Sequence, residues 1–143
     1  MTYYEVERDL EYSDKNIFDL ICDIEKYPEF LPWCKNSNIY NKKDNEFYSD
    51  ITVGFNLVNE TFTSKVIVDY PQRVVSTATS GPFQTMINKW SIKPLGKNKC
   101  QVSLKIEYEF KSIILKNLIG KFFEQATEKM ITAFEKRAKY IYG

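Results

Sequence analysis

Hydrophobic positions near the end of the chain follow a helical period. From Ser112 to Tyr142, apolar residues recur at steps of three and four and form one stripe. The stripe consists of Leu115, Leu118, Ile119, Phe122, Ala126, Met130, Ala133, Phe134, Ala138 and Ile141. The pattern predicts one amphipathic helix of roughly 45 Å, capped by Ser112, with a kink at Gly120 that divides it into a short and a long piece.

The positions before this helix alternate between apolar and polar residues, which indicates strands. The clearest alternation puts Cys100, Val102, Leu104, Ile106, Tyr108 and Phe110 on one face and polar residues on the other. Turn residues separate it from the other predicted strands, which lie at about 3–12, 46–55, 57–70, 74–80 and 83–93. We therefore expect about six strands with short connections and antiparallel neighbours.

A short helix follows the first strand. Ser13 is its predicted N-cap, and its apolar stripe consists of Ile17, Phe18, Leu20, Ile21 and Ile24. Pro28 and Pro32 then divide the chain into turns that are too apolar for an ordinary surface loop. The order of elements predicts an α+β fold in a single domain, residues 1–143, in which one apolar sheet face packs on the long helix.

Several polar side chains fall on the inward faces of the predicted strands, namely Arg8, Glu60, Ser64, Gln84 and Asn88. Buried charges need partners, so one interpretation is a structural ion pair between Arg8 and Glu60 or a water cluster. The other is that these groups bind the polar end of a small ligand. The body of that ligand would lie among Phe62, Met86, Trp90, Phe110, Phe122 and Phe123.

Composition narrows the function classes. The net charge is +1, so no general binding of DNA is expected, although residues 111–143 carry seven basic against three acidic side chains. The chain has no histidine, no Gly-rich phosphate loop and no paired cysteines, so we predict no catalytic residues, no metal and no cofactor. Cys34 is the thiol most worth testing for reactivity, whereas Cys22 and Cys100 are expected to pack in the core.

Cysteine usage and the start of the chain also bear on location. Three cysteines without a pairing pattern, and no apolar signal segment, favour an intracellular, cytoplasmic protein. No apolar run approaches the ~18 residues of a spanning helix, so membrane association would be peripheral, for instance at an inner membrane.

Several segments resemble one known family. Residues 17–34, IFDLICDIEKYPEFLPWC, resemble the coenzyme Q-binding branch of the START-like (polyketide cyclase/dehydrase) superfamily, which also contains a bacterial ribosome-association toxin. The resemblance spans the chain and is most specific at YPEF and FLPWC. It extends to YSDKNIFDL at 12–20, FTSKV at 62–66, GPF at 81–83, Trp90, EFKS at 109–112 and FEKRAKYIYG at 134–143.

The resemblance implies a helix-grip fold, in which a curved antiparallel sheet wraps around the long helix and encloses a hydrophobic tunnel. It implies that the tunnel binds ubiquinone or another isoprenoid lipid, which would be a ligand and not a cofactor. It also implies that the protein supports respiration. Carried over by position, the residues that would line the tunnel mouth are Phe30, Leu31, Pro32 and Trp33. Phe122, Phe123 and Met130 would line one wall.

Three hypotheses follow. The first is a non-enzymatic quinone carrier that touches membranes with the basic helix face and the aromatic turn at 30–33. The second is a toxin-like protein that binds the large ribosomal subunit and blocks subunit joining, with binding that weakens steeply as salt increases. The third is a cyclase- or aromatase-like enzyme, for which Glu60 is the candidate acid or base.

Overall fold

The computed structural model describes residues 1–55 and 58–143, apart from the side chain of Phe55. Leu57, the predicted start of one strand, lies outside the described residues. The elements are β1 (Thr2–Leu10), α1 (Asp14–Cys22), a 3₁₀ helix (Ile24–Glu29), β2 (Cys34–Lys43), β3 (Glu46–Phe55), β4 (Val58–Asp69), β5 (Arg73–Ser80), β6 (Phe83–Gly96), β7 (Lys99–Phe110) and α2 (Ile113–Tyr142).

Within the described chain, the strands form one seven-stranded sheet in the order β1-β7-β6-β5-β4-β3-β2, with antiparallel neighbours throughout. The strands from β2 to β7 are joined in sequence by short connections, and β1 adds to β7 with Leu10 opposite Cys100. The predicted α+β architecture of one antiparallel sheet and one long helix is confirmed.

Strand β2 was not among the predicted strands. Its sequence, CKNSNIYNKK, buries only Cys34 and Ser37, so it has no hydrophobic alternation. It lies at one edge of the sheet and pairs with β3. Polar and lysine-rich edge strands are common because they resist pairing with other chains.

The two helices begin where their caps were predicted. Ser13 accepts a hydrogen bond from the backbone N–H of Asn16, and Ser112 accepts one from that of Leu115. The predicted stripe of α1 is buried, with Ile24 placed in the following 3₁₀ helix.

The predicted break at Gly120 is wrong, because α2 is continuous over 30 residues. The face of α2 that is buried is also narrower than the predicted apolar stripe. Leu118 and Ile141 are exposed, whereas Phe123 and Ile131 are buried. The buried residues of α2 are Ile119, Phe123, Ala126, Thr127, Ile131, Phe134 and Ala138.

A β-bulge at the start of β6 changes which side chains point inward. The pairing with β7 shifts between Phe83 and Thr85, so Phe83 and Met86 are both buried and Gln84 is exposed. The prediction that Gln84 faces inward is therefore wrong, because one extra residue reverses the alternation.

The tight turn that precedes the bulge requires glycine. Gly81 has a φ of 123°, and a Cβ there would lie 2.6 Å from the Cβ of Phe62. Glycine therefore lets the β5–β6 turn close directly onto β4.

The predicted pairing of Arg8 with Glu60 is also wrong. Arg8 Nη1 lies 3.0 Å from Glu135 Oε1 and donates a 2.9 Å hydrogen bond to Thr132 Oγ1, both on α2. Glu60 lies on β4, and β7, β6 and β5 separate that strand from β1. The Arg8 contacts fix the outer strand of the sheet to the helix.

Candidate functional site

The inner sheet face and α2 enclose a cavity of about 80 Å³. Its wall is mainly aromatic and aliphatic, and α1 and the 3₁₀ segment close one side. The lining residues among those predicted as ligand contacts are Leu31, Trp33, Phe62, Met86, Trp90, Phe122, Phe123 and Met130. The structure thus brings together most of the predicted contacts, in a cavity smaller than the roughly 300–1,000 Å³ of typical drug-sized pockets.

A row of polar side chains crosses the sheet inside this cavity. Ser49 on β3 pairs with Ser64 on β4, and Ser76 on β5 pairs with Asn88 on β6. Thr127 contributes a further hydroxyl from α2. These groups give the otherwise apolar cavity one polar side.

Asn88 is the member of this row with an unmet hydrogen-bonding group. Its Oδ1 atom is buried and accepts no hydrogen bond from any residue that the structure describes. A buried acceptor without a partner typically costs about 1–3 kcal/mol. The position is therefore suited to a ligand hydroxyl or N–H group that donates to Oδ1.

The cavity wall carries no formal charge within residues 1–55 and 58–143. Its polar side chains are those of Tyr, Cys, Ser, Thr and Asn, with no carboxylate, Lys or Arg. Burying a charged ligand here would be costly because nothing opposite in sign pairs with it. The cavity therefore favours a neutral ligand.

Cys34 lines the cavity, but its environment keeps the thiol protonated. Burial raises its pKa from 9.0 to about 11, against a weaker opposing effect of nearby hydrogen bonds. Burial likewise raises the pKa of Cys22 to about 12 and that of Cys100 to about 11. A reactive thiolate needs the opposite shift, so Cys34 lacks the environment of a nucleophile.

Three of the predicted contact residues lie outside the cavity. Phe30 packs against Tyr27 and Phe134 on one side and lines an outer groove beside Arg137. Phe110 stacks on Phe83, with ring centroids 5.1 Å apart. Glu60 lines a separate void of about 10 Å³ next to Pro82 and Ile119.

The sequence interpretation missed some of the lining residues. Ser49 lies two residues from Phe47 and Ile51 on the predicted inward face of β3, and Ser76 shares its face with Val74, so the period-2 pattern contained the signal. Thr127 is a polar residue within a helical stripe, which hydrophobic periodicity does not select. Tyr27, whose hydroxyl donates to the carbonyl of Ile21, lies in an irregular segment.

Two general features complete the description. Within the described residues, no group of His, Cys, Asp and Glu side chains is arranged to hold a metal ion. Neither is any helix there both long enough and apolar enough to cross a membrane.

Comparisons with known proteins identify the family. Residues 10–135 match the family described as polyketide cyclase/dehydrase and lipid transport. A ribosome association toxin, RatA, of Rickettsia prowazekii is 37% identical, over 99% of this chain and 99% of that protein. A mitochondrial coenzyme Q-binding protein, COQ10, of Dictyostelium discoideum is 35% identical, over 97% of this chain and 70% of that protein.

Solved structures share the same architecture. The Zhui aromatase/cyclase of a Streptomyces species superposes with a TM-score of 0.84 at 12% identity, covering 96% of this chain and 93% of that one. A START superfamily protein of Mycobacterium smegmatis gives 0.82 at 18% identity, covering 97% and 98%. The predicted helix-grip fold is confirmed, and the chain belongs to the polyketide cyclase/dehydrase and lipid transport family, in the START-like branch whose members include RatA and COQ10.

Proposed function

We propose that this protein binds an isoprenoid quinone, such as ubiquinone, or a related neutral lipid in the cavity and carries it without a catalytic step. The observation that carries the proposal is the uncharged aromatic cavity with the Asn88 carbonyl on its polar side. The reduced quinone has hydroxyl groups that donate to such an acceptor, and the Asn amide N–H groups can donate to quinone carbonyls. The 35% identity to a coenzyme Q-binding protein supports the same assignment.

The size of the cavity places a condition on this proposal. About 80 Å³ has room for several water molecules but not for a ring together with an isoprenoid tail. Binding therefore requires α2 and the sheet to separate locally. Phe122, Phe123 and Met130 of α2 border the cavity, so movement of this part of the helix would enlarge it.

The first test is chemical identification of what the protein carries. Organic extraction of freshly purified protein, followed by mass spectrometry, should yield an isoprenoid quinone at near-stoichiometric amounts. If the extract is empty, it should fill after incubation with quinone-loaded vesicles. No quinone in either extract would contradict the carrier assignment.

Binding can then be assigned to the cavity. Trp33 and Trp90 both line it, so tryptophan fluorescence reports its occupancy. We expect Ser76→Leu to fill the chamber and weaken binding of a short-chain quinone at least tenfold. Thr77→Leu is the matched control, because Thr77 is the next residue on the exposed face of the same strand. Asn88→Leu should weaken the quinol more than the quinone, and equal affinity of parent and Ser76→Leu would place the ligand elsewhere.

A second candidate function is association with the ribosome. It is favoured by the RatA relative and by the exposed side chains of Lys116, Lys121, Lys129, Lys136 and Lys139 on one helix. Such binding should fall steeply with salt and with Lys→Glu reversals, while tolerating Ser76→Leu. Co-sedimentation with purified large subunits separates it from the carrier assignment.

A cyclase-like activity has weaker support. The aromatase/cyclase structure shares only 12% sequence identity with this chain, so the similarity shows a common fold and not a common activity. Glu60, the candidate acid or base, borders the separate void rather than the cavity. Loss of turnover in Glu60→Gln with ligand binding retained would favour the enzyme hypothesis. We propose that the protein acts instead as a cytoplasmic carrier.

A further inference from the structure

The first turns of α2 expose large apolar side chains to solvent. Ile113 and Ile114 are each 68% exposed and Leu118 is 59% exposed. Ile114 and Leu118 are four residues apart, so they lie on one face of the helix. Scattered exposed apolar residues are ordinary, but three within six positions of one helix form a patch.

Within the segment that carries this patch, residues 111–123, the charges have one sign. Lys111, Lys116 and Lys121 are exposed, and residues 111–123 contain no acidic side chain. Glu109, Glu124 and Glu128 lie outside the segment and line a groove together with Ile113, Lys116 and Lys121, so the patch has acidic neighbours on the side of this groove. An apolar patch flanked by lysines matches the chemistry of an anionic lipid surface, because apolar side chains enter the interface and lysines attract the anionic headgroups.

The aromatic turn, which the sequence suggested as a membrane contact, is less available. Leu31 is buried, and Phe30 packs between Tyr27, Phe134 and the guanidinium of Arg137. Trp33 is half-buried and lines both the cavity and the outer groove. The large side chains of the turn are therefore packed against the protein over much of their surface, whereas Ile113, Ile114 and Leu118 are mostly exposed and can enter a lipid bilayer.

We propose that the start of α2 is a docking surface for anionic bilayers. Ile113, Ile114 and Leu118 enter the interface between headgroups and acyl chains, while Lys111, Lys116 and Lys121 contact the phosphates. Charge complementarity selects lipid over an uncharged partner, and the exposed apolar residues select lipid over RNA, whose phosphates would need only the lysines.

Docking in this way would place the membrane next to a route into the cavity, a consequence that rests on the proposed function. Ile119, the residue after Leu118, borders the small void with Pro82 and Phe83. Phe123 borders both that void and the cavity, and its ring packs on Tyr108 and Phe83 at centroid distances of 4.7 and 5.0 Å. A lipid leaving the bilayer would therefore pass this aromatic cluster to enter.

The test is co-sedimentation of the full chain with quinone-free vesicles of phosphatidylglycerol and phosphatidylcholine. We expect Ile113→Ser with Ile114→Ser to lower binding at least tenfold. The matched control is Ile67→Ser with Leu95→Ser, two exposed apolar residues elsewhere, which should bind as the parent does. Vesicles of phosphatidylcholine alone should bind weakly. Thermal unfolding confirms that each variant is folded.

Comparison of the charge-reversal variants with the serine variant separates lipid from RNA. Lys116→Glu with Lys121→Glu should reduce vesicle binding tenfold or more, whereas Lys129→Glu with Lys136→Glu, further along the same helix, should have little effect. Parent-like vesicle binding by Ile113→Ser with Ile114→Ser would overturn the proposal. Ribosomal RNA binding that tolerates the serine changes but is lost with the charge reversals, without vesicle binding by the parent, would overturn it in favour of phosphate recognition.

Failure of docking and failure of the carrier assignment are distinguishable. A water-soluble short-chain quinone reports the cavity without any membrane. If it binds while vesicles do not, the docking surface is wrong and the carrier assignment stands. If the protein binds vesicles but no quinone, the carrier assignment is wrong and the docking surface stands.

Discussion

Arg137 illustrates how single side chains hold the wall of the cavity in place. Its Nη2 atom donates a 2.8 Å hydrogen bond to Glu29 Oε1, and its guanidinium lies 5.2 Å from the ring centroid of Phe30. The hydrogen bond from Arg137 holds the pKa of Glu29 below its usual range. A residue of α2 thereby fixes the turn that supplies Leu31 and Trp33 to the cavity.

The buried thiols provide a prediction at the residue scale. Folding raises the pKa of Cys34 from 9.0 to about 11, so the folded state holds its proton more tightly than the unfolded state. The resulting stability is complete below pH 9.0 and is lost as the pH rises towards about 11. We expect urea midpoints to fall over this alkaline range, and less steeply in Cys34→Ala.

Alkylation rates give an independent check on the same residue. At neutral pH the native protein should react slowly with iodoacetamide, and all three cysteines should react promptly after unfolding. Rapid, selective labelling of Cys34 in the native protein would contradict the assignment of a buried, protonated thiol.

At the scale of elements, the cap of α2 deserves a direct measurement because the helix forms one wall of the cavity. Ser112→Ala removes the acceptor of the Leu115 N–H and should lower the free energy of unfolding by about 1 kcal/mol. Ser112→Asp keeps a capping oxygen and should retain stability, and chemical denaturation compares them. Equal stability of Ser112→Ala and the parent would show that the cap contributes little.

The Asp variant also serves as a probe of the lysine-flanked patch. It adds a negative charge directly before Ile113, so it should weaken binding to anionic vesicles even though the helix remains capped. Stability and docking are thereby separated at one position.

How well the sequence predicted each element depends on how many apolar side chains that element buries. Strand β7 and helix α1 were predictable because each has one clearly apolar face. Strand β2 was not, because its pairing with β3, rather than its side chains, defines it. The bulge that turns Gln84 outward depends on pairing across strands, which no pattern within β6 displays.

The candidate site was predictable in its apolar part and less so in its polar part. Large residues such as Met86 and Trp90 follow from strand alternation, and the sequence placed them correctly on one face. The partner of Arg8 was not predictable, because Thr132 and Glu135 lie more than one hundred residues away and meet β1 only through the packing of α2. The size of the cavity likewise depends on how closely sheet and helix approach.

At the scale of the whole molecule, the Arg8 contacts join the edge of the sheet to the helix. The two charged side chains are 33% and 42% exposed, so their coupling should be modest. A double-mutant cycle of Arg8→Met and Glu135→Gln should give a coupling of about 0.5–1 kcal/mol that decreases with salt. A coupling indistinguishable from zero at low salt would mean that packing alone holds the two layers together.

The pairing of the first strand with the last has a consequence for how the chain matures. Among the described strands, β1 pairs with β7 alone, so Thr2 can pair with Tyr108 only after β7 has been synthesised. During synthesis, the hairpins from β2 to β7 can form one after another while the amino-terminal strand stays unpaired. Such distant pairing slows folding. Since α2 follows all seven strands in the sequence, the nascent sheet exposes its apolar face to aggregation until the helix has been synthesised and can pack on it.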